Sequence, residues 1–157
     1  MIAGDPKNSS PNGPFVYSCL NGGENLGKSY SFLNCPVNAQ LWMSIDFPQC
    51  WDGVNLDSPD HKSHMAYPSN NSCPKDHPVA IPVVTFNIIY DIKEANTPLR
   101  WRLASDNYDT ALPPGYSSHG DWFNGWNSSI MNTITQYCED ASVDCHGSLL
   151  GDGRTLY

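Results

Sequence analysis

The sequence predicts a mainly β fold, a disulfide-stapled β-sandwich or jelly-roll-like domain with one C-terminal helix. Three observations carry this. Gly and Pro supply twelve and thirteen of 157 residues, so much of the chain goes into turns, which short strands need and a helical bundle does not. The alternation at 83–91 has a period of two, with Val84, Phe86, Ile88 and Tyr90 on one face. A helical period stands out only near the C-terminus. The length fits one ordinary domain, taken as 1–157.

Along the chain, residues 1–34 read as loop, with turn signals at SPNGP and NGGENLG. Residues 39–47 mix aromatic and β-branched side chains and read as a strand. CWDGVNLDSPDH is turn-rich. The strand at 83–91 follows Pro82, which favours a strand start or a sheet edge. LRWRLAS alternates Leu99, Trp101 and Leu103 and is expected at 98–104 in the same sheet. DNYDTALPPG reads as a loop. The helix is expected at about 128–139, capped by Asn127 or Ser128, with Ile130, Ile134, Tyr137 and Cys138 on one face. Residues after Cys145 read as a tail.

Six cysteines, Cys19, Cys35, Cys50, Cys73, Cys138 and Cys145, stand singly beside turn residues, with no C-x-x-C pair. That pattern predicts three disulfides and an oxidising compartment. Several pairings remain open; loop closure favours Cys19–Cys35 and Cys138–Cys145, which leaves Cys50–Cys73. Three N-x-S acceptors, Asn8, Asn70 and Asn127, point the same way, toward a secreted glycoprotein. Residues 1–14 contain no apolar h-region and no run approaches the ~20 apolar residues of a membrane span. The formal charge of −8 argues against nucleic acid and anionic lipid, both of which require Lys and Arg clusters. Neutral sugars remain suitable partners.

Chemistry is concentrated in two stretches. SPDHKSHMAYP carries Asp60, His61, Lys62, His64 and Tyr67, and YSSHGDWFNGW carries His119, Asp121, Trp122, Asn124 and Trp126. Imidazoles with carboxylates nearby suit a divalent metal such as zinc or copper, with His61, His64 and His119 as ligands and Asp60 or Asp121 as ligand or orienting acceptor. The same residues suit acid/base catalysis through Asp60–His61 and His119–Asp121. Tyr67, Trp122 and Trp126, with Trp51 and Asn124, suit a sugar face. The alternative is a staple, in which Asp and His side chains hold a Pro-bounded loop together and the aromatics fill the core.

CWDGVNLDSPDHKSHMAYP, CPKDHPVAIPVVTFNIIYDI, GYSSHGDWFNGWN and the opening MIAGDP together resemble a secreted family catalogued as Domain of Unknown Function nineteen-ninety-six, over roughly residues 1–140. The family occurs in fungi and some actinobacteria, often fused to WSC carbohydrate-binding domains. The resemblance implies secretion and association with cell-wall or biomass polysaccharide, with no assigned reaction. Family members usually carry a further segment before MIAGDP with its own His-x-His, so an exposed sheet edge or apolar patch is expected here. ASDNYDTALPPG stands where the family commonly has S-N-G-D-P-T-G, and Asn127 where it has Asp. The expected function is action at polysaccharide through a His/Asp site, of hydrolase or lyase class. The alternative is a non-catalytic carbohydrate-binding or structural wall protein.

Overall fold

The computed structural model describes residues 1–145 and 148–155. The chain forms two compact units, Met1–Trp122 and Phe123–Tyr157.

The first unit is built on a four-stranded antiparallel sheet. Its strands are β2 (Phe15–Asn21), β3 (Glu24–Ser29), β4 (Gln40–Asp46) and β8 (Thr85–Asp91), in the order β3-β2-β4-β8. Register decides the faces: Phe15, Tyr17 and Cys19 pair with Ile45, Met43 and Leu41, which pair in turn with Phe86, Ile88 and Tyr90. Because side chains alternate across a strand, this set shares one face, and all of it but Ile88, which is exposed at the sheet edge, builds the core with Phe32, Phe47 and Ile92. Edge-to-face contacts fix the packing, with Tyr17–Phe32 at 4.8 Å and Phe47–Phe86 at 4.9 Å between ring centroids. Tyr90 and Trp101 add a tilted pair at 5.4 Å. β8 is an edge strand, and Ile88 and Ile89 on it are exposed.

Two smaller sheets carry the loops. β5 (Cys50–Trp51) lies between β6 (Met65–Ala66) and β7 (Val79–Ala80). β1 (Ile2–Gly4) pairs with β9 (His119–Asp121). Disulfides join Cys19 to Cys35 and Cys50 to Cys73, and in the second unit Cys138 to Cys145. Among the described residues no cysteine is free.

The mainly β class, the three disulfides and the single C-terminal helix agree with expectation. So does the strand at 39–47, observed as β4. Two element assignments need correction. Residues 1–34 are not loop, since they hold β1, the central strand β2 and β3. NGG is the tight turn of the β2–β3 hairpin, with Gly22 and Gly23 at φ +57° and +89°. The expected strand at 98–104 is a short 3-10 turn, Pro98–Arg100, followed by irregular chain. Its backbone donors are satisfied locally: Arg100 N bonds Thr97 O, Trp101 N bonds Pro98 O, and Leu103 N bonds the Asp106 carboxylate. No strand partner is therefore required, and Trp101 and Leu103 still pack on the core.

In the second unit α1 (Ser128–Ile134) continues into a π turn, Thr135–Glu139. The Asn127 side chain caps α1 by accepting from Ser129 N and Ile130 N at 2.9 and 3.2 Å. Cys138 is buried on this stretch, Ile130 and Ile134 are half-buried, and Tyr137 is exposed. Of the expected tail, His146, Gly147, Leu156 and Tyr157 lie outside the described residues; within it Leu149 and Thr155 form a β-bridge.

Candidate functional site

The 57–66 loop is held by one carboxylate. Pro59 follows Ser58, and His61 N bonds Ser58 O at 2.8 Å to close a turn. Asp60 Oδ1 then accepts from Ser58 Oγ (2.8 Å), Lys62 N (3.1 Å), Ser63 N (2.9 Å) and Ser63 Oγ (2.9 Å). These donors, led by the Ser63 backbone, hold its carboxyl far below the usual range. His64 is buried, and its Nδ1 meets Ser58 Oγ at 2.8 Å. Ser58 has one proton, which goes to Asp60, so the Nδ1–H of His64 donates to Ser58. The expected Asp60–His61 pair is not formed. Asp60, Ser58 and His64 are the staple of this loop.

His61 behaves differently. It takes φ +54°, a left-handed conformation uncommon outside glycine. Its side chain is 58% exposed and donates Nδ1–H to Asp57, with the two carboxylate oxygens at 2.9 and 2.8 Å. The hydrogen bond from His61 lowers the Asp57 pKa. With the proton on Nδ1, Nε2 is left as an acceptor, the arrangement of a general base held in one tautomer.

β1 lies between the two candidate loops. Along one edge Ile2 N donates to His61 O at 2.9 Å and Lys62 Nζ donates to Gly4 O at 2.7 Å. Along the other, Ile2 pairs with Asp121 and Gly4 with His119. Gly4 sits at φ +74°, and a Cβ there would overlap the Ser118 carbonyl. The strand thus brings both loops to one place, yet its own width holds their backbones about 10 Å apart. His119 Nδ1–H is bound locally to Ser117 O at 2.9 Å, so His119 is not paired with Asp121. Among the described residues no three His, Cys, Asp or Glu side chains gather as a metal would need. The set His61, His64 and His119 therefore does not form a ligand cluster.

Beside this seam lies an open groove. One depression, of about 350 Å³, is lined by Ile2, Asn8, Asn12, Phe15, Lys62 and Tyr67. A second, of about 580 Å³, shares Pro14, Phe15 and Tyr67 and runs on to Val16 and Asp46. Tyr67 stands where the two join. Its hydroxyl donates to Asp46 O at 2.8 Å, which fixes the ring, and the residue remains 43% exposed. Burial pushes its hydroxyl pKa well up. His61, Asp57 and His119 do not line either depression.

The other expected sugar contacts lie apart from the groove lining. Trp122 is partly buried against the core, with Phe86 6.1 Å away. Trp51 Nε1 donates to Asn55 O at 2.6 Å. Asn124 and Trp126 belong to the second unit, where Asn124 Oδ1 accepts from Trp126 N.

Two functional-looking groups escaped the sequence reading. Asp106 receives Ser117 Oγ (2.6 Å), Tyr108 OH (2.9 Å), Leu103 N (2.9 Å) and Gly115 N (2.9 Å). Partial burial opposes its ionisation, and these donors outweigh it, so its pKa is lowered. It organises the loop that leads to His119. His77 Nε2–H donates to Ser63 O at 3.0 Å and clasps the stapled loop from the side. Asp76 lies 3.2 Å from its Nδ1, off the direction of a hydrogen bond. These contacts, the Ser63 carbonyl first, raise the His77 pKa.

A family model described as a domain of unknown function, DUF1996, matches residues 1–126. No curated protein and no solved structure matches the chain.

Proposed function

The chain belongs to the DUF1996 family, and on that premise we propose that its first unit is a secreted domain that holds a neutral cell-wall polysaccharide chain in the groove beside Tyr67. The observation that carries this is the position of Tyr67, a fixed and exposed ring at the junction of two depressions. Aromatic rings pack against the apolar faces of sugars, and neighbouring amides and carboxylates take their hydroxyls. Asn12, Asp5 and Asp46 supply those polar groups. Lys62 is the lone cation of the groove lining and is spent on Gly4 O, a poor arrangement for a polyanion. Three disulfides support an oxidising, extracellular setting. Of the N-x-S acceptors, Asn70 is exposed in a turn, whereas Asn8 spends its amide nitrogen on Ser10, Asn12 and Tyr116 carbonyls.

The test is depletion from solution by insoluble β-1,3-glucan, cellulose and chitin. The expected result is retention on at least one, little changed by salt, since neutral chains are held without ion pairs. A protein that stays in solution with all three contradicts the reading.

A second reading, cleavage of a glycan by hydrolysis or lysis at the exposed loop beside the groove, where Lys62 lines the groove and His61 precedes it, is favoured by the Asp57–His61 pair. It assigns the general base to His61 Nε2 and its orientation to Asp57. A metal-assisted version does not fit the described residues, which gather no ligand set. Release of reducing ends or unsaturated products, lost in His61→Ala with binding retained, is the result this second reading expects.

A further inference from the structure

We infer that the outward face of the four-stranded sheet is a second part of the glycan site, a platform centred on Trp42 that takes the continuation of a linear neutral polysaccharide leaving the Tyr67 groove. This inference rests on the groove reading given above.

Register places the platform. The residues of β4 that alternate with the core set are Gln40, Trp42, Ser44 and Asp46, and opposite them on β8 stand Asp91, Ile89, Asn87 and Thr85. None of these belongs to the core cluster, and Asp46, Thr85, Asn87, Ile89 and Asp91 are exposed. An antiparallel sheet with one buried face normally turns polar side chains to water on the other. Here the polar chains are ordered into rows around an aromatic ring. Gln40 Nε2 donates to Asp91 at 3.1 Å, Ser44 Oγ to Asn87 Oδ1 at 2.6 Å, and Thr85 Oγ1 to Asp46 Oδ1 at 2.7 Å. Trp42 Nε1 donates to Gln40 Oε1 at 3.1 Å, which sets the ring plane.

Three features choose the occupant. The first is rigidity: cross-strand pairs and the indole bond hold the side chains before anything binds, so little rotamer freedom is lost on binding. The second is chemistry. A face of amides, hydroxyls and carboxylates around one indole suits a hydroxylated chain with apolar ring faces better than a protein core, which would leave these groups without water. Asn87 donates from its Nδ2 to no described residue and can serve a sugar hydroxyl. The third is continuity. Val16 and Asp46 line the second depression of the groove, and both lie on this outward face, Val16 opposite Ser44 and Asp46 opposite Thr85. From Asp46 to Trp42 is four residues of extended chain, about 13 Å. A chain emerging past Asp46 therefore runs over the rows toward Trp42.

The experiment is isothermal titration with soluble β-1,3-glucan, cello- and chitin oligosaccharides, each in a short and a long form. The native protein is expected to bind the long form of its preferred sugar more tightly than the short. Trp42→Ala and, independently, Asn87→Ala should lower long-form affinity by about tenfold, to near the short-form value, and leave the short form unchanged. Asn87 lies on the exposed edge strand away from the core, so it answers the question even if Trp42→Ala folds poorly. Tyr67→Ala should weaken both lengths. If both outward-face variants bind long chains as the native protein does, while Tyr67→Ala is weakened, the platform is refuted and the groove stands. If the native protein binds neither length, the groove reading fails and the platform with it. If the variants change only self-association in sedimentation, the face is a contact between copies and the inference is wrong.

Discussion

His61 donates to Asp57, four residues earlier in the chain, and not to Asp60 beside it. Two carboxylates of one loop thus do different work. Both are exposed, but Asp60 gathers four donors of its own loop, while Asp57 meets only His61 and the Ser58 backbone. Asp60→Ala should lower the melting temperature clearly more than Asp57→Ala, because a single solvent-exposed His–Asp contact contributes little to stability. The lowered pKa of Asp60 has a matching consequence. A carboxylate depressed in the folded state stabilises above its unfolded value and loses that contribution as pH falls through the folded value. Acid titration followed by near-ultraviolet circular dichroism should show the native loop persisting below the ordinary aspartate pKa, and Asp60→Asn should lose that acid resistance. Equal melting temperatures for the two alanine variants would show that Asp60 is not the staple.

His77 produces the opposite pH dependence. Its pKa is raised by the Ser63 carbonyl and by Asp76. A group raised in the folded state contributes fully below its unfolded pKa, about 6.5, and the contribution is lost as pH rises through the folded value. Denaturation midpoints should therefore decline between mildly acidic and mildly alkaline pH, and His77→Gln should flatten that decline. A native protein whose stability is constant across this range would contradict the assignment.

Gly4 is required where β1 crosses Ser118. Gly4→Ala places a Cβ onto the Ser118 carbonyl at a positive φ. The combined strain and overpacking should destabilise by roughly 2–4 kcal/mol, measured by urea unfolding. A much smaller loss would mean that β1 can move away from β9 without consequence.

The sequence made much of this fold legible, for local reasons. Period-two alternation marked β4 and β8, and Asn127 before an apolar helical stripe marked α1. β2 was missed because its neighbours SPNGP and NGGENLG dominate a reading based on turn residues. Its own pattern, Phe15, Tyr17 and Cys19 at alternate positions, was present and is the better signal. LRWRLAS misled because Trp101 and Leu103 do pack inward, but Asp106 takes the backbone donor that a strand would have shared. At the site, the density of Asp and His marked the right loop. Spacing could not show which carboxylate each ring meets, because that depends on the turn at Pro59 and the left-handed backbone of His61. Nor could it show that β1 would hold His61 and His119 on opposite edges. Asp106 and His77 escaped because no motif marks them: Asp106 draws in Gly115 and Ser117 as well as its neighbours Leu103 and Tyr108, and His77 reaches back to Ser63.

The central claim is that Tyr67 is the aromatic floor of a polysaccharide groove. Titration of native protein and Tyr67→Ala with the soluble oligosaccharide of whichever insoluble glycan retains the native protein tests it most directly. Tyr67→Ala loses the hydroxyl bond to Asp46 and the packing of the covered half of the ring, together roughly 2–3 kcal/mol, so the variant should melt measurably below the native protein yet remain folded at the temperature of the titration, which circular dichroism checks. The account predicts that its affinity falls by about tenfold or more. A folded Tyr67→Ala that binds the sugar as tightly as the native protein would contradict it.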